Sequence, residues 1–497
     1  MIIYGIDRLT ISDVMNIVAH PSLATLDEQA RKQILNSEKN VRAIVNSDKT
    51  VYGINTGFGP LCDVKISEEE TAQLQHNLII SHAVGVGKPI DEKLSKIMMI
   101  AKIHALSKGF SGVSLTVVER MIEMLQKNII PVVPEQGSVG ASGDLAPLSH
   151  LVLPLLGLGQ VWHEGEIHDT ADILKKYDLQ PLKLGPKEGL GLINGTQFIL
   201  AHAILGLDKM KYILDLADVA AAMSLEAYRG SASPFKKELH EIRAYSGTQE
   251  VAKRMRRLLE DSENLAAHEF CDRVQDPYSL RCVPQVHGAS RNAYEHLKAM
   301  AEIELNSVTD NPIVLSDEEA ISGGNFHGQP MALPIDYATL AAAELGNISD
   351  RRCYLLLEGK FGLPRLLAET SGLNSGFMIP QYTTAALVTE NKTLCFPASA
   401  DSIPTSLGQE DHVSMGSISG RKFNQVLDNL VNIFAVELMF AAQGLEFRRP
   451  AKCSDIIEEN YDLVRSVVPK LEDDRLIGKD MHALAQLIRE RAFVVEC

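Results

Sequence analysis

Apolar positions recur at helical spacing along most of the chain. Asp91 can cap a segment that puts Leu94, Ile97, Met98, Ala101 and Ala105 on one face and stops at Lys108-Gly109. A second begins after Ser114, carries Val117, Met121 and Leu125, and ends before Pro131. The stretch from Phe198 to Tyr228 runs without proline and has only Gly206 as a weak point. Two more long helices are predicted from about Met331 to Glu358 and from Lys422 to Gln443. Helices this long, apolar on wide faces, need neighbours, which points to a bundle and to oligomer contacts. Strand signals are brief: residues 160–168 read as a small hairpin, and the Ala320-Ile321 stretch closes another. The expected fold is mainly α. A long-helix bundle and C-terminal helical region occupies 201–497, and a smaller N-terminal region occupies 1–200. With no repeat, low-complexity segment or evident linker, one helical unit fits better than three separate ones.

Composition changes this picture little. The chain has 497 residues, 45% apolar and 23% charged, as in ordinary globular proteins. A net charge of −16 with no basic run argues against tracking a nucleic-acid backbone. Seven scattered cysteines without a CxxC pair suggest neither a disulfide framework nor a zinc site. The N-terminus lacks a signal-peptide pattern, and the apolar stretch Leu151–Gly159 is too short to span a bilayer. No membrane association is expected, and a reducing cytoplasm is the default compartment.

The chemistry concentrates in polar loops between the helices. Gly140-Ala141-Ser142-Gly143-Asp144-Leu145 follows a breaker-rich run and opens an apolar one, so it reads as a tight loop feeding a buried helix. If such a loop is bent enough, the Gly143 amide nitrogen can reach the Ala141 carbonyl carbon, an approach glycine permits because it lacks a Cβ. Ring closure with loss of two waters would convert Ser142 into a dehydroalanine within an imidazolone, an electrophile. Three small residues before an aspartate are, by themselves, more often a helix cap.

The longer string from Gly137 to His150, Gly-Ser-Val-Gly-Ala-Ser-Gly-Asp-Leu-Ala-Pro-Leu-Ser-His, resembles the prosthetic-group segment of the aromatic amino acid ammonia-lyases. Those enzymes make 4-methylideneimidazol-5-one (MIO) from their own backbone, and the resemblance implies MIO from Ala141, Ser142 and Gly143, with no external cofactor or metal. The glycine-flanked loop 51–60 resembles the family's tyrosine loop, which implies Tyr52 as the catalytic base. Ser81-His82 matches the pair that faces the substrate side chain, and Gly191–Gln197 brings Asn194 near the prosthetic group. The run 275–282 implies Arg281 as the clamp for the substrate carboxylate, a task suited to a guanidinium, with Gln275 and the catalytic Tyr278 beside it. Residues 322–329 supply Phe326 as a pocket wall, and 408–415 supply Gln409 and Glu410.

These matches occur in the family's order from 52 to 415. Ser81-His82 and Glu410 match the histidine-specific branch, so the resemblance implies L-histidine as substrate, and a homotetramer with shared active sites. A carboxylate can accept from an imidazole N–H and gains nothing from a phenyl ring. Departures are Gly408, where asparagine is usual, and Val283 and His287 downstream of Arg281.

Other readings are weaker. The fumarase/aspartase type shares the helical architecture, but its Gly-Ser-x-x-Met-x-x-Lys-x-Asn signature is missing from Gly416–Asn424. An aminomutase of the same family would differ in product. A non-catalytic helical assembly would not need these loops. His268-Glu269-Phe270-Cys271-Asp272 lacks the second histidine of a zinc hydrolase.

Overall fold

A computed structural model describes residues 1–47, 51, 53, 54, 56, 68–267, 274–370 and 372–497. Tyr52 and the 268–272 motif lie outside the described residues. The fold is mainly α: among the described residues nineteen α-helices alternate with short two- and three-stranded pairings.

Where the apolar pattern is clean, the elements form as the sequence predicts. Asp91 caps helix Glu92–Ser107, its side chain accepting from the Lys93 amide at 2.7 Å. Ser114 caps Leu115–Gln126, and the strands Gln160–His163 and Glu166–Asp169 form the hairpin, extended by Ile130–Pro131. Ile313–Val314 pairs with Ala320–Ile321. The long helices are Gln197–Tyr228, Gln329–Leu357 and Gly416–Glu446. The last starts six residues before the expected Lys422, because Gly416, Ser417, Ser419 and Gly420 are poor helix formers that tertiary packing overrides. Helix Val283–Leu305 lacks a clear sequence signal because Pro284 and Gly288 break its first turns. The run after Asp144 is shorter than it reads, an α-helix Leu145–Val152 followed by a 3-10 turn at Pro154. Gly191–Ile193, expected as loop, closes the short helix Glu188–Ile193 ahead of Asn194.

The chain divides into two compact units. The first comprises Met1–Asp208, Leu297–Asp336 and Pro397–Arg421; the second comprises Lys209–His296, Tyr337–Phe396 and Lys422–Cys497. The second is a helical bundle whose core holds a chain of ionised groups. Glu437 accepts from Arg352 Nε at 2.5 Å, Ser224 Oγ at 2.8 Å and Ser349 Oγ at 2.5 Å. His287, one of the departures noted above, pairs through Nδ1 with Asp218 at 2.8 Å, and its Nε2 lies 3.4 Å from Arg352 Nη1. Burial pushes the Asp218 carboxyl up, but Arg291 and His287 outweigh it and hold the group well below the usual carboxylate range. This histidine therefore belongs to the bundle's internal hydrogen-bond network, where burial lowers its imidazole pKa. Helix Gly416–Glu446 has the length and composition of a membrane span, yet 78% of its apolar window is buried inside the fold.

Candidate functional site

The first unit assembles its polar loops around Ser142. Gly140, Ser142 and Gly143 all have left-handed φ (71°, 49° and 74°), so the loop is tightly coiled. For Ser142 this conformation costs roughly 1 kcal/mol and needs neighbours to hold it. They are present. Ser417 Oγ donates to the Ser138 carbonyl at 2.6 Å, and the Met415 amide to the Val139 carbonyl at 2.9 Å. Ala141 is buried against Val413 and Met415. Gly143 pairs with Gly195, and a Cβ at Gly143 would stand 2.0 Å from the Gly195 carbonyl oxygen. Only glycine fits there.

The carbonyl and the hydroxyl of Ser142 are both engaged. Its carbonyl accepts from Asn194 Nδ2 at 2.7 Å, and its hydroxyl donates to Glu410 Oε1 at 2.8 Å. Glu410 Oε2 in turn accepts from Thr405 Oγ1 at 2.7 Å. His82 ends helix Glu68–His82, its Nδ1 3.0 Å from Ser81 Oγ. Burial lowers its imidazole pKa, opposed by the Leu78 backbone and by the negative charge of Glu410. Ser142, Asn194, Glu410 and His82 thus form one electrostatic neighbourhood. Gln409 is exposed beside Glu410, and Phe326 is half-buried next to His327, whose ring stacks on His412 at 5.7 Å.

Three expected residues belong to the second unit. Gln275 is exposed, and Tyr278 and Arg281 sit on the short helix Tyr278–Arg281. The Arg281 guanidinium lies 4.6 Å from the Tyr278 ring centroid, and its buried Nε has no hydrogen-bond partner among the described residues.

Two residues important to this loop escape sequence reasoning. Asp144 does not cap its own helix. Its Oδ2 instead accepts from the Phe198 and Ile199 amides at 3.1 and 3.0 Å, and its Oδ1 from Ser138 Oγ at 2.9 Å. It therefore caps the long helix Gln197–Tyr228 from a distance, satisfying amides that the helix itself leaves unpaired. Burial nevertheless pushes its carboxyl up to about 7. Lys102 lies fully buried in helix Glu92–Ser107, and its Nζ donates to the Asn194 carbonyl at 2.6 Å. Its only sequence signal is one cation inside an apolar stretch.

Burial lowers the Lys102 ammonium to about 7, opposed by Asp310. Between this value and the ordinary lysine range the unfolded chain binds more protons than the folded one, so stability rises with pH there and is lost as pH falls through about 7. Lys102→Met should flatten that dependence. Unfolding midpoints of wild type and variant at neutral and alkaline pH measure it, and parallel curves would contradict it.

The arrangement suits backbone cyclisation: a coiled Ala-Ser-Gly loop, a glycine that nothing larger can replace, and hydrogen bonds on both sides of the central serine. These residues therefore fit an MIO group. The sequence model for aromatic amino acid lyase matches residues 9–466. A histidine ammonia-lyase of Natranaerobius thermophilus is 44% identical over 99% of this chain and 97% of its own length. The crystal structure of histidine ammonia-lyase from Trypanosoma cruzi superposes with a TM-score of 0.90 at 40% identity, covering 99% of this chain and 93% of that one. Tyrosine aminomutase from Streptomyces globisporus superposes with a TM-score of 0.93 at 34% identity, covering 99% and 98%.

Proposed function

The chain belongs to the aromatic amino acid lyase family, and we propose that it is a histidine ammonia-lyase, converting L-histidine to trans-urocanate and ammonia. The observation that carries the substrate is the placement of His82 in the field of the Glu410 carboxylate, which itself lies against the Ala-Ser-Gly loop. Both can hydrogen-bond an imidazole, and neither has a partner on a phenyl side chain.

The reaction is difficult because the β-hydrogen of an amino acid is hardly acidic and ammonia leaves poorly. MIO, which the backbone of Ala141, Ser142 and Gly143 would hold, would supply an electrophile that captures the substrate at its amine or at its imidazole ring and so eases loss of ammonia. Asn194 holds the Ser142 carbonyl and so fixes the orientation of this loop. Arg281 binds the substrate carboxylate through its guanidinium fork, with Gln275 and Tyr278 alongside. His82 and Glu410 orient the imidazole ring, Phe326 walls the pocket, and Gln409 lies at its edge. Tyr52 takes the β-proton. An ordinary tyrosine is too weak a base at neutral pH, so its surroundings must favour the phenolate.

We further propose a cytoplasmic homotetramer in which each pocket draws residues from more than one chain. In its support, Tyr337, Tyr354, Ile379, Tyr382 and Phe396 of the second unit expose about half or more of their surface, large side chains that a subunit contact would cover.

An aminomutase reading has the tyrosine aminomutase fold in its favour. Among the solved structures, the higher identity to histidine ammonia-lyase, 40% against 34%, favours elimination. Product analysis separates the two: stoichiometric ammonia and urocanate from L-histidine are expected. A β-amino isomer formed without ammonia would reject the lyase.

A further inference from the structure

We propose that Glu410 also acts before any substrate arrives, as the proton carrier that dehydrates Ser142 while the prosthetic group forms. The inference rests on the reading that Ala141-Ser142-Gly143 cyclises, and adds to it the group that completes the electrophile.

The geometry singles out this carboxylate. In the uncyclised chain the Ser142 hydroxyl donates to Glu410 Oε1 at 2.8 Å. Glu410 is held there by a turn, not by chance contact. Its backbone pairs with Thr405 in both directions, the Thr405 amide donating to the Glu410 carbonyl at 2.9 Å and the Glu410 amide to the Thr405 carbonyl at 3.4 Å. Three of the four intervening residues, Ser406, Leu407 and Gly408, have left-handed φ (50°, 56° and 86°), which closes the turn, and Thr405 Oγ1 steadies the second carboxylate oxygen at 2.7 Å. Asn194 fixes the other side of Ser142 through its carbonyl. The neighbouring carboxylate, Asp144, is committed elsewhere: its two oxygens accept from Ser138 and from the amides of Phe198 and Ile199.

Ring closure forms the bond from Gly143 N to the Ala141 carbonyl carbon as the Gly143 amide proton passes to the carbonyl oxygen; that hydroxyl leaves with the Ser142 amide proton as the first water, and a C=N double bond forms between the Ala141 carbon and Ser142 N. Elimination then breaks two bonds of Ser142, Cα–H and Cβ–Oγ. The Glu410 carboxylate takes the Cα proton, and the electron pair left on Cα becomes the Cα=Cβ double bond as Oγ departs. Glu410 returns the proton to that oxygen, which leaves as the second water. Glu410 ends as it began, and nothing is oxidised or reduced. General acid–base assistance of this kind contributes about 10²–10⁴-fold.

Intact mass reads the two steps separately, because each water removes about 18 Da. Freshly purified full-length wild type, Glu410→Gln and Glu410→Ala are to be followed over time, the last with and without sodium formate as a replacement carboxylate. Wild type should show the loss of both waters. Glu410→Gln, which can still hold the hydroxyl but cannot carry the proton, should lose at most the first water, or lose the second about 100-fold more slowly. Glu410→Ala should behave likewise, with formate restoring the second loss. Full loss in either variant at the wild-type rate would overturn the role, as would a missing loss that formate does not restore. A wild type at its encoded mass would instead overturn the prosthetic group itself.

Discussion

Ser142→Ala leaves the chain at its encoded mass, without the deficit of about 36 Da that two lost waters produce, and removes nearly all turnover. This is the largest effect expected of any single substitution, because no ordinary side chain replaces an electrophile built from the backbone. Removing a covalent catalytic group lowers kcat by roughly three orders of magnitude or more. Folding should survive. Position 142 already packs through its backbone, with Asn194 on its carbonyl and Ala141 buried against Val413 and Met415, and alanine loses only the hydroxyl contact to Glu410. Electrospray mass and the rate of ammonia release from L-histidine, measured on one preparation, test the claim. An active wild-type enzyme whose mass equals that of the encoded 54.5 kDa chain would refute it.

The second large effect divides binding of the amino acid from choice of its side chain. Arg281→Ala should lower kcat/KM for histidine, tyrosine and phenylalanine alike, since all share the carboxylate. Loss of a charged contact costs about 2–4 kcal/mol, or roughly 30- to 1000-fold. His82→Leu should instead act on histidine far more than on the other two. His82 lies in the field of Glu410, and leucine can neither donate to nor accept from an imidazole. kcat/KM for three amino acids on three proteins gives nine numbers, and their pattern matters more than any one of them. If wild type prefers tyrosine or phenylalanine, histidine is not the substrate; if His82→Leu leaves histidine turnover intact, His82 does not select the imidazole. The prosthetic-group chemistry would survive either result.

Local features are legible in the chain without its fold. The helices at Glu92–Ser107 and Leu115–Gln126 follow from one apolar face and one capping side chain, both encoded within a few residues. Glycine at 140 and 143 announces a left-handed loop for the same reason: the constraint is backbone sterics at that position. The order of glycine-flanked polar loops was enough to identify the family, because reactive groups sit on short contiguous strings.

What required the tertiary structure depends on residues distant in the chain. The hydrogen bond from Ser142 to Glu410 spans 268 positions, and no periodicity relates the two. Asp144 reads as the cap of the helix that follows it, yet it caps another that starts more than fifty residues later. Local propensity cannot foresee this, since any helix with unpaired amides can accept a carboxylate that the fold brings near. Lys102 looks like an interruption of an apolar face until its ammonium is seen on the Asn194 carbonyl. The two compact units are likewise built from three discontinuous segments each, and four of their five boundaries fall inside helices. A helix carries no mark in its composition where its packing partners change, because its own hydrogen bonds continue unbroken across that point.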